Sequence, residues 1–99
     1  MPDAVHELLA TDVALGKLGA RSIAREEAEQ LLRNRHVIVA NLRGHPDRPQ
    51  REDRRLVIGD SDGGRMLTLV IEATLDPTTW MLVTAWDSTK AEGKIVEEH

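Results

Sequence analysis

RRLVIGD-SDGG-RMLTLVIEAT-LDPTT-WMLVTAW, residues 54–86, decides the fold. Three runs rich in Val, Ile, Leu, Thr and Trp alternate with two polar punctuations. This is how successive β-strands joined by tight turns are written. Arg54 to Asp60 predicts one strand and Arg65 to Thr74 the next. Ser61-Asp62-Gly63-Gly64 between them supplies positive-φ residues for a hairpin. Asp76-Pro77 marks a second turn, and Trp80 to Trp86 a further strand. In such a hairpin Arg54 falls near Glu72 and Arg65 near Asp60. The last two strands are apolar at both alternating positions, so both faces of the sheet need cover.

Upstream, His36-Val-Ile-Val-Ala-Asn-Leu42 reads as the first strand of this set, ended by Arg43-Gly44. The segment 43–53 holds two Pro, one Gly and no large apolar residue, and is expected to be a loop. Before it the period changes to that of helices. Val5, Leu8, Leu9 and Val13 at i, i+3, i+4 and i+8 predict a helix from Asp3 to about Gly16. Ser22 is the expected N-cap of a second helix to about Asn34, with Ala24, Ala28, Leu31 and Leu32 inward. Asp87 or Ser88 can open a last helix, with Thr89 and Glu92 at capping-box spacing. The expected order is ααββββα. This is an α+β fold with an N-terminal helical hairpin on a four-stranded, mostly antiparallel sheet and a short C-terminal helix.

Ninety-nine residues make one domain, residues 1–99. The chain has no Cys, which excludes disulfides, thiolate nucleophiles and Cys–zinc sites. No run approaches the roughly 18 apolar residues of a membrane helix. No signal-peptide pattern opens the chain. A soluble cytoplasmic protein with no membrane association is the expectation. The net charge of −4 argues against a general polyanion binder, yet it is unevenly spread. Residues 33–55 hold seven Arg and three acids, while both ends are acidic. An Arg-rich centre suits phosphate or carboxylate, which the planar guanidinium grips in bidentate fashion.

The chain lacks a phosphate-cradling glycine loop, a nucleophile elbow and His spacing for a metal site. Among the remaining candidates, Arg54, Arg55 and Arg65 flank the strands. As solvated ion pairs each contributes under about 1 kcal/mol; as phosphate ligands they would supply charge-assisted forks. His6 is either exposed polar surface or a general acid or base, since an unperturbed imidazole titrates near neutrality. Trp80 and Trp86 share strand parity and are either core residues or a base-stacking platform.

Several strings resemble the BrnT-like branch of the RelE/ParE toxin superfamily and its small relatives. They are His6, the Gly19-x-x-Ser22 helix start with Glu26 and Glu27 behind it, and Leu31-Leu32-Arg33-Asn34. Further on come Arg55-Leu-Val-Ile-Gly59, Asp62-Gly-Gly-Arg65, the apolar Leu67 to Ile71, Leu82-Val-Thr-Ala-Trp86 and Thr89-Lys90-Ala91-Glu92. The resemblance spans about residues 5–95. It implies a metal-free, cofactor-free endoribonuclease toxin acting on RNA or the ribosome, held by a small antitoxin encoded beside it. It implies Arg55 and Arg65 as phosphate clamps, Lys90 as a weaker one, and His6 as acid or base. Arg43, Arg54 and Trp86 are the accompanying RNA-binding candidates. Trp86 stands where the BrnT-like pattern has Arg, and the last strand is apolar. A second reading follows from this: a non-catalytic interaction module that kept the fold and binds a neighbouring protein or a second copy of itself.

Overall fold

The computed structural model describes residues 5–40 and 54–98. The order is β1 (Glu7–Ala10), α1 (Asp12–Ala20), α2 (Arg25–Arg33), β2 (His36–Ala40), β3 (Arg54–Asp60), β4 (Met66–Ala73), β5 (Thr79–Asp87) and α3 (Lys90–Glu97). The class is α+β, as expected. The sheet has five strands rather than four, in the order β1-β5-β4-β3-β2, and it is mixed because β1 runs parallel to β5. The predicted Arg54–Glu72 pairing is present in the β3–β4 register.

The extra strand comes from the N-terminus, where a helix was expected from Asp3 to about Gly16. Asp3 lies outside the described residues. Leu8 is 6% exposed, whereas Leu9 is 37% and Val13 70% exposed. This is the alternation of a strand and not one helical stripe. Leu8 and Leu9 therefore belong to a strand whose register against Trp80 and Met81 depends on a partner 72 residues away. The helix begins after Thr11, whose hydroxyl accepts the Ala14 N–H at 3.1 Å. It then runs through Gly16 to Ala20.

Ser22 also changes role. It does not cap α2; it closes α1. Its φ is +56°, in the left-handed region. The Ser22 N–H donates to the Gly19 carbonyl and the Ile23 N–H to the Leu18 carbonyl. With Leu18 and Ile23 both buried, this is a Schellman ending with a serine at the position glycine usually takes. The N-cap of α2 is Ala24. It has no side-chain oxygen, so Glu27 supplies half of the cap by accepting the Ala24 N–H at 3.0 Å. The expected helical hairpin is matched only roughly: α1 packs on β5, and α2 on β3 and β4.

Both sheet faces are covered. On the α1/α2 side, Leu18, Ile23, Ala28 and Leu31 close over Leu8, Val57, Leu67, Leu69, Ile71, Trp80 and Leu82 of the sheet. On the other side Val96 of α3 packs with Leu56, Ile58 and Val70. A bulge in β5 shifts the register from Val70↔Thr84 to Ile71↔Leu82 and leaves Val83 as the extra residue. For this reason Trp80 and Trp86, of equal parity in the sequence, point to opposite faces: Trp80 into the first core, Trp86 into the second. At Gly59 an added Cβ would lie 2.6 Å from the His36 Cβ, so the β2–β3 approach excludes any side chain there. The Ser61–Gly64 turn uses one positive-φ residue, Gly64 at +82°.

No helix among the described residues is long and apolar enough to cross a membrane.

Two outcomes check these assignments. Ser22→Gly relieves the left-handed backbone strain and should raise unfolding stability by about 0.5–1 kcal/mol in urea titrations. Glu92 of α3 is 2% exposed. Its Oε1 accepts the Trp86 indole N–H at 3.0 Å and the Thr89 N–H at 2.8 Å. Glu92→Ala strands both donors and should cost about 1–3 kcal/mol. Glu92→Gln retains an acceptor and should cost less, with Trp86 fluorescence reporting the docking of α3.

Candidate functional site

The antiparallel meander sorts the candidate residues to two ends of the sheet. Arg55 pairs with Ile71. At about 3.3 Å per residue, the stretch from Arg65 to Ile71 is about 20 Å long. Arg55 and Arg65 therefore do not meet one phosphate. Arg54 and Arg55 share one end with His6, whose N–H donates to the Thr78 carbonyl at 2.8 Å. Arg65, Trp86 and Lys90 lie at the opposite end, where β4 begins and β5 ends. Arg43 lies outside the described residues.

At the Arg65 end the guanidinium is fully engaged. Its Nε and Nη2 donate to the two Asp87 carboxylate oxygens at 2.7 and 3.1 Å. Nη1 donates to the Ser22 carbonyl at 2.8 Å and to Glu27 Oε1 at 3.3 Å, and Nη2 also donates to the Arg21 carbonyl at 3.3 Å. An arginine has five N–H donors, and here each has a partner. Arg65 thus joins β4, β5, the α1–α2 turn and the first turn of α2. Arg21 adds a bond from its Nη1 to Thr84 Oγ1 at 3.2 Å. The Arg65 hydrogen bond, with its charge, holds the Asp87 carboxyl below the usual carboxylate range, and Arg65 itself is raised.

Nearby, Trp86 and Lys90 part ways. Trp86 is half-buried under α3 and spends its indole N–H on Glu92, which removes it as a free stacking platform. Thr68 and Ser88 hydroxyls lie 2.8 Å apart beside this pair. Burial pushes the Glu92 carboxyl up. The Thr89 N–H, the Trp86 indole and the Thr68 and Thr89 hydroxyls outweigh it and bring the carboxyl net below its usual range. Lys90 is exposed at the first position of α3.

A cleft of about 320 Å³ is lined by His6, Glu7 and Leu8 on one wall and, on the other, by Arg25, Glu29, Leu32 and Arg33 of α2, the helix whose Glu27 and Arg33 reach Arg65 and Asp62. The second wall is one face of α2, since i, i+4, i+7 and i+8 lie in line. Arg25 pairs with Glu29 at 3.0 Å, and Arg33 with Asp62 at 3.9 Å, all four side chains being exposed. Behind His6 stands the β4–β5 turn. There Asp76 accepts the Thr78 N–H and hydroxyl, both at 2.9 Å. These bonds, foremost the backbone one, hold the Asp76 carboxyl low, and the charge of His6 adds to them. Arg54 pairs with Glu72 at 3.4 Å. Arg55 is half-buried and donates to the Arg54 carbonyl at 2.9 Å.

His6 was legible as a candidate, but Arg25, Glu29, Arg33 and Asp76 were not. The helical-face spacing of Arg25, Glu29 and Arg33 was the available signal. Asp76 offered none beyond its turn. Among the described residues no three His, Asp or Glu side chains converge as a metal-ligand set. No family model and no curated protein matches the chain.

The Arg65–Asp87 contact carries a pH dependence. Asp87 has a folded-state pKa below its unfolded value. Its contribution is therefore complete above about pH 4, the ordinary aspartate range, and drains as pH falls through the lower folded value. Thermal melts should show a decline in melting temperature on that acid side. Asp87→Asn should lower the melting temperature at neutral pH and flatten part of the acid decline; an unchanged acid profile would refute the assignment.

Proposed function

We propose that this chain is a toxin of the RelE/ParE type, acting on RNA in the cytoplasm, and that its working site is the His6 cleft. The observation that carries the reading is the cleft itself. It sets an imidazole opposite two arginines on one helix face. Such a set fits metal-free phosphodiester cleavage. A base takes the ribose 2′-hydroxyl proton, the freed oxygen attacks the adjacent phosphate, and a proton returns to the leaving 5′-oxygen. His6 is the group assigned to proton transfer. Arg25 and Arg33 are assigned to the charge that builds on the phosphate. Their present partners do not prevent this, because exposed pairs of the Arg25–Glu29 kind contribute only about 0.3–0.5 kcal/mol.

Arg54 and Arg55 lie at the same end of the sheet as His6. Arg65 is assigned to holding the fold, since a phosphate would have to displace five hydrogen bonds. A small antitoxin encoded nearby is the proposed partner.

The alternative reading, a non-catalytic interaction module, draws on Trp86: a family-type cation is replaced there by an indole committed to Glu92.

Induced expression in a bacterial host separates the two. The toxin reading expects growth arrest with cleaved RNA, relieved by His6→Ala and by Arg25→Ala with Arg33→Ala while the proteins stay folded. Unimpaired growth and intact RNA at confirmed expression would overturn it. A stable complex with the neighbouring gene product and no RNA cleavage would favour the module.

A further inference from the structure

A sheet edge is a row of unused backbone donors and acceptors, and this sheet has two edges of different character. β1 is blunted: it has four residues, carries Glu7, and pairs with Thr79–Leu82 alone. β2 is not. Its sequence is HVIVA, with no charge, proline or bulge among Val37, Ile38 and Val39. These are the features by which edges are normally protected. One side of β2 pairs with β3 over all five residues, and among the described residues nothing pairs with the other. Val37, Ile38 and Val39 remain only half-buried, although Ile38 packs against one core and Val37 and Val39 against the other.

We propose that β2 is a homodimer edge, pairing antiparallel with β2 of a second copy to make one continuous ten-stranded sheet. Self-complementarity selects a second copy as the occupant. A two-fold axis perpendicular to the sheet keeps the α1/α2 face on the same side in both copies. It also requires opposed residues to share a face, so a residue must sit on the axis. With Ile38 there, all five residues pair. Ile38 faces the partner's Ile38, Val37 faces the partner's Val39, and His36 faces the partner's Ala40. Every central pair is β-branched and apolar, the most favourable class of cross-strand neighbour. No acid meets an acid and no arginine meets an arginine. α3 packs on β2 and β3, so the second core would continue across the joint. A five-residue edge is small beside the roughly 1,600 Å² of a standard interface, so the dimer is expected to be concentration-dependent.

The test uses the full chain. Sedimentation should show a monomer at low micromolar concentration and a dimer towards the millimolar range. Hydrogen exchange over the same range should show the outward-facing amides of His36, Ile38 and Ala40 gaining protection as the mass doubles, since Val37 and Val39 already bond to β3. The axis supplies a second arm, because its residue opposes itself. Ile38→Lys and Ile38→Asp should each be monomeric, and an equal mixture of the two should associate, with circular dichroism confirming that both fold. A monomer at every concentration, a dimer in which the β2 amides stay unprotected, or protection that appears only with a different protein would overturn the proposal. The exchange experiment on the unmodified chain decides even if the variants fail to fold.

Discussion

The β3–β4 pair is apolar on both faces, and the rest of the architecture answers that constraint. Val57, Leu67, Leu69 and Ile71 look one way; Leu56, Ile58 and Val70 look the other. A half-buried sheet of the kind that faces water on one side would leave one of these sets wet. The chain instead spends α1 and α2 on the first face and α3 on the second. Each cover is then held by a polar device set at its rim. On the first face this is Arg65, whose guanidinium reaches the α1–α2 turn, Glu27 and Asp87 together. On the second it is Glu92, which caps α3 through Thr89 and accepts the Trp86 indole from beneath.

These two devices occupy the side chains of the most suggestive sequence motif. Asp62-Gly-Gly-Arg65 and the following Trp86 and Lys90 look like a ligand-binding group in one dimension. In three dimensions Arg65 and Trp86 have their donors spent inside the protein. In the cleft, by contrast, His6 faces Arg25, Glu29 and Arg33 across open space, and the exposed Arg25–Glu29 and Arg33–Asp62 pairs are weak enough to exchange for a ligand. Donors spent around Arg65 and Trp86, and exposed polar groups left in the His6 cleft, are the division on which the proposed RNA-directed site rests.

Much of the fold was legible from local pattern, and the misses share one cause. Strands β2 to β5, the β3–β4 and β4–β5 turns and the Arg54–Glu72 pairing followed from alternation and from turn residues, because these are properties of neighbouring sequence. Helix α3 followed from Thr89 and Glu92 at capping-box spacing. Residues 7–10 did not follow, since Leu8 and Leu9 satisfy a helical stripe as well as a strand, and what decides is a parallel partner far along the chain. Ser22 misled in a similar way. Serine is a good N-cap, but the buried Leu18–Ile23 contact makes it the left-handed residue that ends α1. In the site, His6 was legible by its chemistry, whereas Arg25 and Arg33 became relevant only once α2 was laid beside β1.

What the sequence by itself determined is the α+β class, the meander from β3 to β5 and the need for cover on two faces. It did so because periodicity and turn chemistry act over a few residues. The tertiary structure decided the fifth strand, the opposite destinies of Trp80 and Trp86, and the separation of the candidate cations into two groups. Each of these depends on a contact between distant segments: β1 against β5, the Val83 bulge against β4, and Arg65 against Asp87 and the α1–α2 turn. Such contacts are selected by burial and by hydrogen-bond satisfaction across the whole fold, and no local stretch of residues encodes them.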